Sequence, residues 1–173
     1  MEVDGMGRVV SLILVSLIAV GAATAADSDL QRETLRGLKG VQVLVEGISP
    51  ELSTANLDAT MVQNDVELKL RQAGIKVVAK TESSATPGMP TLCIWAEVWH
   101  PATGDYVYNV KVELQQQARL AREPKIMANE ARTWRSRGAI GTSGIAMLNT
   151  SVRDAVTDKV DEFIKAYLSV NPK

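Results

Sequence analysis

The most informative pattern in this sequence is a long amphipathic helix near its carboxyl end. Over residues 146–170 the apolar side chains recur three or four positions apart, which is the spacing of one helix face. A helix of this kind has to bury its apolar face against another element, so the rest of the chain must supply that layer. The apolar members of the face are Leu148, Val152, Ala155, Val156, Val160, Phe163, Ile164, Tyr167 and Leu168.

The chain before this helix alternates between strand and helix patterns. Helical spacing predicts one more helix from about residue 54 to residue 73. We therefore predict an α+β fold with the order β-α-β-β-β-β-α, a two-layer sandwich in which a mostly antiparallel sheet carries both helices on one face. We predict that residues 40–173 form a single α/β domain and that residues 26–39 form a polar N-terminal lead-in. Alternating apolar residues predict strands over 41–46, 75–79, 91–99, 106–122 and 127–137.

Residues 1–25 have the pattern of a signal peptide. Arg8 precedes a short apolar run over residues 9–20, and Ala23-Thr24-Ala25 is typical of a cleavage site. The alternative is an uncleaved anchor, although a membrane span needs about 20 mostly apolar residues. We expect a periplasmic or secreted protein with no stable membrane span after cleavage.

Charge and cysteine content exclude several classes of protein. The formal net charge is −1, and nucleic-acid-binding domains normally carry a basic excess, so we expect no nucleic-acid partner. The one cysteine, Cys93, excludes an intramolecular disulfide framework and a zinc site built on several cysteines. No spacing of acidic or histidine residues indicates a metal site, and we predict no cofactor.

No set of residues in the sequence suggests a catalytic site. His100 stands beside a predicted turn without a serine near it in sequence, and we interpret it as a turn-end histidine. Gly138, Gly141 and Gly144 precede the last helix, but a phosphate-binding loop needs a Lys-Ser/Thr pair after its last glycine. We interpret this segment as a flexible connection, and we predict that the protein is not an enzyme.

The register of the first hairpin decides which face of the sheet meets the helices. A turn through residues 101–104 places Trp99 opposite Tyr106 and Cys93 opposite Val112. Because side chains alternate along a strand, Cys93 then faces the helices. We therefore predict that the Cys93 thiol is buried and unreactive.

That register leaves an apolar row on the face away from the helices. Leu92, Ile94 and Val98 belong to this row. Either the lead-in over residues 26–39 covers them, or they form an interface with a partner or a second copy, because contiguous exposed apolar surface usually marks one.

The last hairpin carries an excess of positive charge. Between positions 119 and 137, six basic residues stand against two acidic ones, which gives a local net charge of +4. A turn through Pro124 would gather several cations near one end of the sheet, where they would face an anionic surface such as lipid head groups or acidic cell-wall polymers. The alternative is a solubilising edge that prevents strand addition. The candidate contacts are Arg119, Arg122, Lys125, Arg132, Trp134, Arg135 and Arg137.

The strand predicted over residues 106–122 is unusually long. It would reach roughly 56 Å, which exceeds the span of a domain of this size. It therefore either bends through residues 115–117 or carries the hairpin beyond the sheet as a docking arm.

The element order, together with export, resembles that of small bacterial envelope domains. Examples are the amino-terminal domain of the Tol-Pal propeller protein and the lipoprotein activators of penicillin-binding proteins, although the lipid-bearing cysteine of the activators is absent here. The resemblance implies a non-catalytic envelope module.

We therefore predict a non-enzymatic exported module that binds an envelope protein partner or forms a homo-oligomer. The alternative is a periplasmic carrier or sensor of a small anionic or lipid ligand. Such a carrier would need a cavity between the helices and the sheet, beside Trp95, Trp99 and Tyr108.

Overall fold

The computed structural model describes residues 27–48, 50–102 and 104–172. The predicted signal peptide over residues 1–25 lies outside the described residues. In chain order the elements are α1 (Asp29–Glu33), β1 (Gln42–Glu46), α2 (Pro50–Thr54), α3 (Ala59–Gln72), a 3₁₀ helix (Lys80–Ala85), β2 (Thr91–Trp99), β3 (Tyr106–Leu120), β4 (Glu123–Arg135), β5 (Ala139–Ser143) and α4 (Ile145–Val170).

Five strands form one mixed sheet, with β3 pairing along both of its edges. β1 runs parallel to β2, and β2 pairs antiparallel with β3. The other edge of β3 is shared, because β5 pairs with residues 106–110 and β4 pairs with residues 113–120. Helices α3 and α4 pack on this sheet, which confirms the predicted two-layer α+β sandwich.

The segment predicted as a strand over residues 75–79 pairs at a single point. The Val41 N–H donates to the Lys76 carbonyl oxygen at 2.9 Å, and the Val78 N–H donates to the Val41 carbonyl oxygen at 2.9 Å. The chain then turns into the 3₁₀ helix Lys80–Ala85, so the parallel pairing ends after one bridge.

A fifth strand replaces the predicted glycine-rich connection. Ala139–Ser143 pairs along the first five residues of β3, so the prediction of a flexible loop there is wrong. Glycine suits position 141 because the Tyr108 ring occupies the space that a Cβ would need. Helix α4 follows directly, with Gly144 as its N-cap residue.

The register between β2 and β3 differs by one residue from the predicted one. Trp99 lies opposite Val107 rather than Tyr106. Tyr106 pairs instead with β5, and its ring stacks on His100 with 4.1 Å between the ring centroids. A shift of one residue moves every side chain of a strand to the opposite face.

This shift places the predicted apolar row in the core. Leu92 and Ile94 are fully buried, Val98 is 5% exposed, and all three belong to the apolar cluster between the sheet and the helices. The prediction that the row lies away from the helices is therefore wrong. These three side chains are not accessible to a partner in this fold.

The core is formed by one face of the sheet and the apolar sides of α3 and α4. Trp134 of β4 packs edge to face against Phe163 of α4, with 5.3 Å between the ring centroids. Further buried members are Val110, Val112 and Leu114 of β3, Val62, Val66 and Leu70 of α3, and Leu148, Val152, Val156 and Val160 of α4.

The lead-in closes one end of this core. Leu35 is fully buried, and its carbonyl oxygen accepts a hydrogen bond from the Asn171 side chain at 2.9 Å. The Asp27 carboxylate accepts a hydrogen bond from the Trp134 indole N–H at 3.2 Å. The lead-in therefore packs against α4 and β4.

Candidate interaction surfaces

The face of the sheet that points away from the helices carries a group of apolar side chains, which we call the open face. Trp99 is 51% exposed, and Ile140 is 78% exposed. Trp99 lies directly opposite Val107, whose other neighbour is Thr142 of β5. The apolar side chains of the open face are Leu44, Trp95, Trp99, Val107 and Ile140; none of them joins the described core.

Polar side chains separate the two tryptophans on the open face. Glu97 accepts a hydrogen bond from the Asn109 side chain at 3.1 Å, and the Lys111 ammonium lies 3.7 Å from the same carboxylate. Asn109 is also the register partner of Ile140. The open face is therefore a mixed surface in which apolar side chains surround an internally paired carboxylate.

Sequence patterns did not identify the open face because both faces of β2 are apolar. Leu92 and Ile94 alternate with Cys93 and Trp95, so hydrophobic alternation gives no preference for either register. Of the three residues that the carrier alternative places beside a cavity, Trp95 and Trp99 lie on the open face, whereas Tyr108 packs against the core.

Cys93 lies on the same side of the sheet as the open face but is only 1% exposed. The prediction of a buried thiol is confirmed, although the predicted direction of the side chain is wrong. Burial raises the pKa of the Cys93 thiol to about 12, with further contributions from the Glu46, Glu113 and Glu130 carboxylates. The thiolate, which is the nucleophilic form, is therefore scarce at neutral pH.

The basic residues of the last hairpin are spread along its length. The turn lies at residues 121–122 rather than at Pro124, with Leu120 paired to Glu123. The cations that surround this turn are Arg119, Arg122 and Lys125. Arg132 and Arg135 lie at the base of the hairpin, about 35–45 Å from the turn by strand rise, and Arg137 follows the end of β4.

Several residues at the base of the hairpin already form ion pairs, hydrogen bonds or core contacts within the protein. The Arg132 guanidinium forms an ion pair with Glu113 at 3.0 Å, and the Arg137 backbone N–H donates to Glu162 at 3.1 Å. Trp134 is fully buried in the core, so its predicted contact with a partner is wrong. Arg135 lies opposite Glu113 in the ladder.

The long third strand is irregular where a bend is predicted, and its role as a docking arm stays a prediction. Shifts in the ladder with β4 occur between Leu114 and Gln115 and between Gln116 and Ala118. The last hydrogen bond from β3 to a segment outside the hairpin is donated by the Gln117 N–H to the Gly88 carbonyl oxygen at 2.7 Å. We call residues 118–128 the hairpin tip, because they extend past this contact.

Three recesses in the described part of the chain differ in size and position. A cleft between α3 and α4 has about 10 Å³ of space, which is room for one water. A recess of about 150 Å³ lies between Leu44 and Glu130, and one of about 450 Å³ follows the free edge of β1. Among residues 27–48, 50–102 and 104–172, no group of three acidic, histidine or cysteine side chains is placed to hold a metal ion.

Helix α4 is the longest described helix; one side of it is buried, and Ile145, Met147 and Leu168 are exposed. Within the described residues, no helix combines the length and the apolar character that crossing a membrane requires.

Comparisons with known proteins give weak resemblances in fold. No family model matches the chain, and no curated protein matches it. Among solved structures, it is similar to a PelC dodecamer from Paraburkholderia phytofirmans, with 18% identity and a TM-score of 0.39 over 72% of this chain and 90% of that one. It is also similar to a minor lipoprotein from Acinetobacter baumannii, with 11% identity and a TM-score of 0.37 over 78% of this chain and 94% of that one.

Proposed function

We propose that this chain is an exported, non-enzymatic module of the bacterial envelope that binds a protein partner or assembles with copies of itself. The observation that carries the proposal is the open face, where Trp99 and Ile140 remain exposed on adjoining rows of a sheet. A sheet of this kind normally presents polar side chains on its uncovered side. Contiguous exposed apolar surface usually marks an interaction site.

The chemistry of the open face favours a protein partner. Aromatic side chains supply large contact areas and are enriched where protein surfaces meet. The Glu97 carboxylate is already paired with Lys111, so a partner can cover it without leaving an isolated buried charge. Export is supported by the pattern of residues 1–25.

The proposal is tested by the mass of the native particle, measured by light scattering on protein extracted gently from its own cells. We expect a particle heavier than the monomer. Ile140→Lys should weaken the association at least about tenfold, because it places an unpaired charge in an apolar contact. Leu68→Lys is the matched control, since Leu68 is also exposed (55%) but lies on α3, away from the open face.

Two results would contradict the proposal. One is a particle of monomer mass at every concentration and without a co-purifying chain. The other is an assembly that Ile140→Lys and Leu68→Lys affect equally, because the association would then not involve the open face.

A further inference from the structure

We propose that the hairpin tip, residues 118–128, binds the anionic head groups of a lipid bilayer. In the described part of the chain, the tip pairs with no strand other than its own two. Its described hydrogen bonds stay within it, such as the one from Arg119 Nη1 to the Pro124 carbonyl oxygen at 3.0 Å. No residue of the tip belongs to the described core.

The tip carries positive charge that the described acidic residues of the protein do not neutralise. Arg119, Arg122 and Lys125 stand against Glu123 alone, which gives these residues a net charge of +2. None of the three cations forms an ion pair with another described residue. At the base of the same hairpin, by contrast, Arg132 is paired with Glu113.

Apolar side chains are exposed beside these cations. Ile126 is 48% exposed and Met127 is 42% exposed, and Met127 lies directly opposite Arg119 in the ladder. Apolar side chains flanked by Arg and Lys are the combination that inserts at the boundary between head groups and acyl chains. Guanidinium groups also bind phosphate oxygens in a bidentate manner.

Charge complementarity favours a lipid surface over a second copy of this chain. Two of the acidic residues that a second copy could offer on its sheet are already neutralised, because Glu97 is paired with Lys111 and Glu113 with Arg132. An anionic bilayer presents unpaired phosphates at high density, and each cation near it contributes favourably.

The test measures binding of the full chain, as cells process it, to vesicles of mixed phosphatidylglycerol and phosphatidylcholine. We expect binding at low salt, weaker binding at high salt because of screening, and little binding to pure phosphatidylcholine. The triple variant R119Q/R122Q/K125Q should lose affinity by about 100-fold. The matched control is K39Q/K76Q/K80Q, which removes the same charge from three exposed lysines far from the tip in sequence and should bind like the parent.

A second variant separates insertion from adsorption. Ile126→Trp should show a blue shift of its emission when the anionic vesicles are added, because the indole then leaves water. The inference is overturned by absent binding at low salt, by equal losses in the two triple variants, or by no blue shift. It is also overturned if the parent does not bind vesicles and R119Q/R122Q/K125Q no longer self-associates, since the tip would then bind a second copy.

The inference is independent of the proposed function. Ile140→Lys should leave vesicle binding unchanged, and R119Q/R122Q/K125Q should leave the association through the open face unchanged.

Discussion

Gly40 shows how one residue permits the chain to enter the sheet. Its φ of +154° is one that side chains with a Cβ rarely adopt. A Cβ at this position would lie 2.8 Å from the Lys76 carbonyl oxygen and 2.8 Å from Cγ2 of Val78. The same carbonyl accepts the Val41 N–H, so it cannot move away without loss of that hydrogen bond. Gly40 therefore permits the close approach of β1 to the segment after α3.

Substitution of Gly40 by alanine should destabilise the protein by about 2–3 kcal/mol, because the added Cβ strains the backbone and overlaps a carbonyl group. Urea denaturation measures the free energy of unfolding. Gly37→Ala is the control: Gly37 also has a positive φ, of +74°, but nothing lies within 4 Å of the place that its Cβ would take. Gly37→Ala should lower the free energy of unfolding by only about 1 kcal/mol. Equal losses of unfolding free energy in the two variants would show that the close contact with the Lys76 carbonyl does not contribute to the effect.

The register of β2 could not be predicted from the identities of its residues alone. The alternation along β2 shows the row that enters the core, which is Leu92, Ile94 and Val98. It shows the competing row on the other face equally well. In the structure Leu92, Ile94 and Val98 enter the core, while Tyr106 pairs with β5 and stacks on His100. That contact joins two residues across a loop, and no local propensity predicts it.

At the scale of elements, the long periodic segments were predictable and the short ones were not. Helix α4 and strands β2 and β3 follow their apolar spacing closely, whereas β4 begins at Glu123, four residues before the predicted start. Strand β5 is five residues long with a glycine at position 141, so its sequence is typical of a loop. It becomes a strand because β3 extends beyond β4 and offers a free edge there. Such pairing depends on tertiary structure rather than on local sequence.

The hairpin tip should be dispensable for folding. Replacing residues 119–127 by Asn-Gly joins Ala118 to Ala128, which are already register partners, through a two-residue turn. We expect the free energy of unfolding to change by less than about 0.5 kcal/mol, because the tip makes no core contact. Trp134→Ala, in the same strand, should cost about 3–5 kcal/mol. A loss of similar size in the shortened variant would contradict this description of the tip.

At the scale of the whole molecule, the lead-in contacts both the carboxyl end of α4 and strand β4. Asn171 near the carboxyl end accepts the Gly37 N–H at 2.7 Å through its side-chain oxygen, and it donates to the Leu35 carbonyl. Near the start of the described residues, the Asp27 carboxylate accepts hydrogen bonds from the Arg32 and Trp134 side chains. The lead-in therefore packs against the core, although its sequence shows only loosely spaced leucines.

The Asp27 contacts should make stability depend on pH. The Arg32 guanidinium, followed by the Trp134 indole N–H, lowers the pKa of the Asp27 carboxyl below its ordinary value, against the opposing effect of burial. A lowered pKa in the folded state means that the carboxylate stabilises the fold above the unfolded pKa, and that this contribution is lost as the pH falls through the folded pKa.

Asp27→Asn should therefore lower the free energy of unfolding by about 1 kcal/mol at neutral pH. The difference from the parent should shrink as the pH falls below about 4, where the parent carboxylate is also neutralised. Asp29→Asn is the control, because the Asp29 side chain is fully exposed and lies 3.9 Å from Arg32. A difference that stays constant between neutral and acidic pH would exclude the carboxylate as its source.

The length of β3 has a hydrodynamic consequence. Its 15 residues extend for about 50 Å, whereas a compact domain of this size has a radius of gyration of about 15 Å, or a diameter near 40 Å. The molecule therefore experiences more friction than a sphere of equal mass. A monomer should elute early from a sizing column and imitate a larger particle, so elution volume alone would exaggerate the number of copies in any assembly.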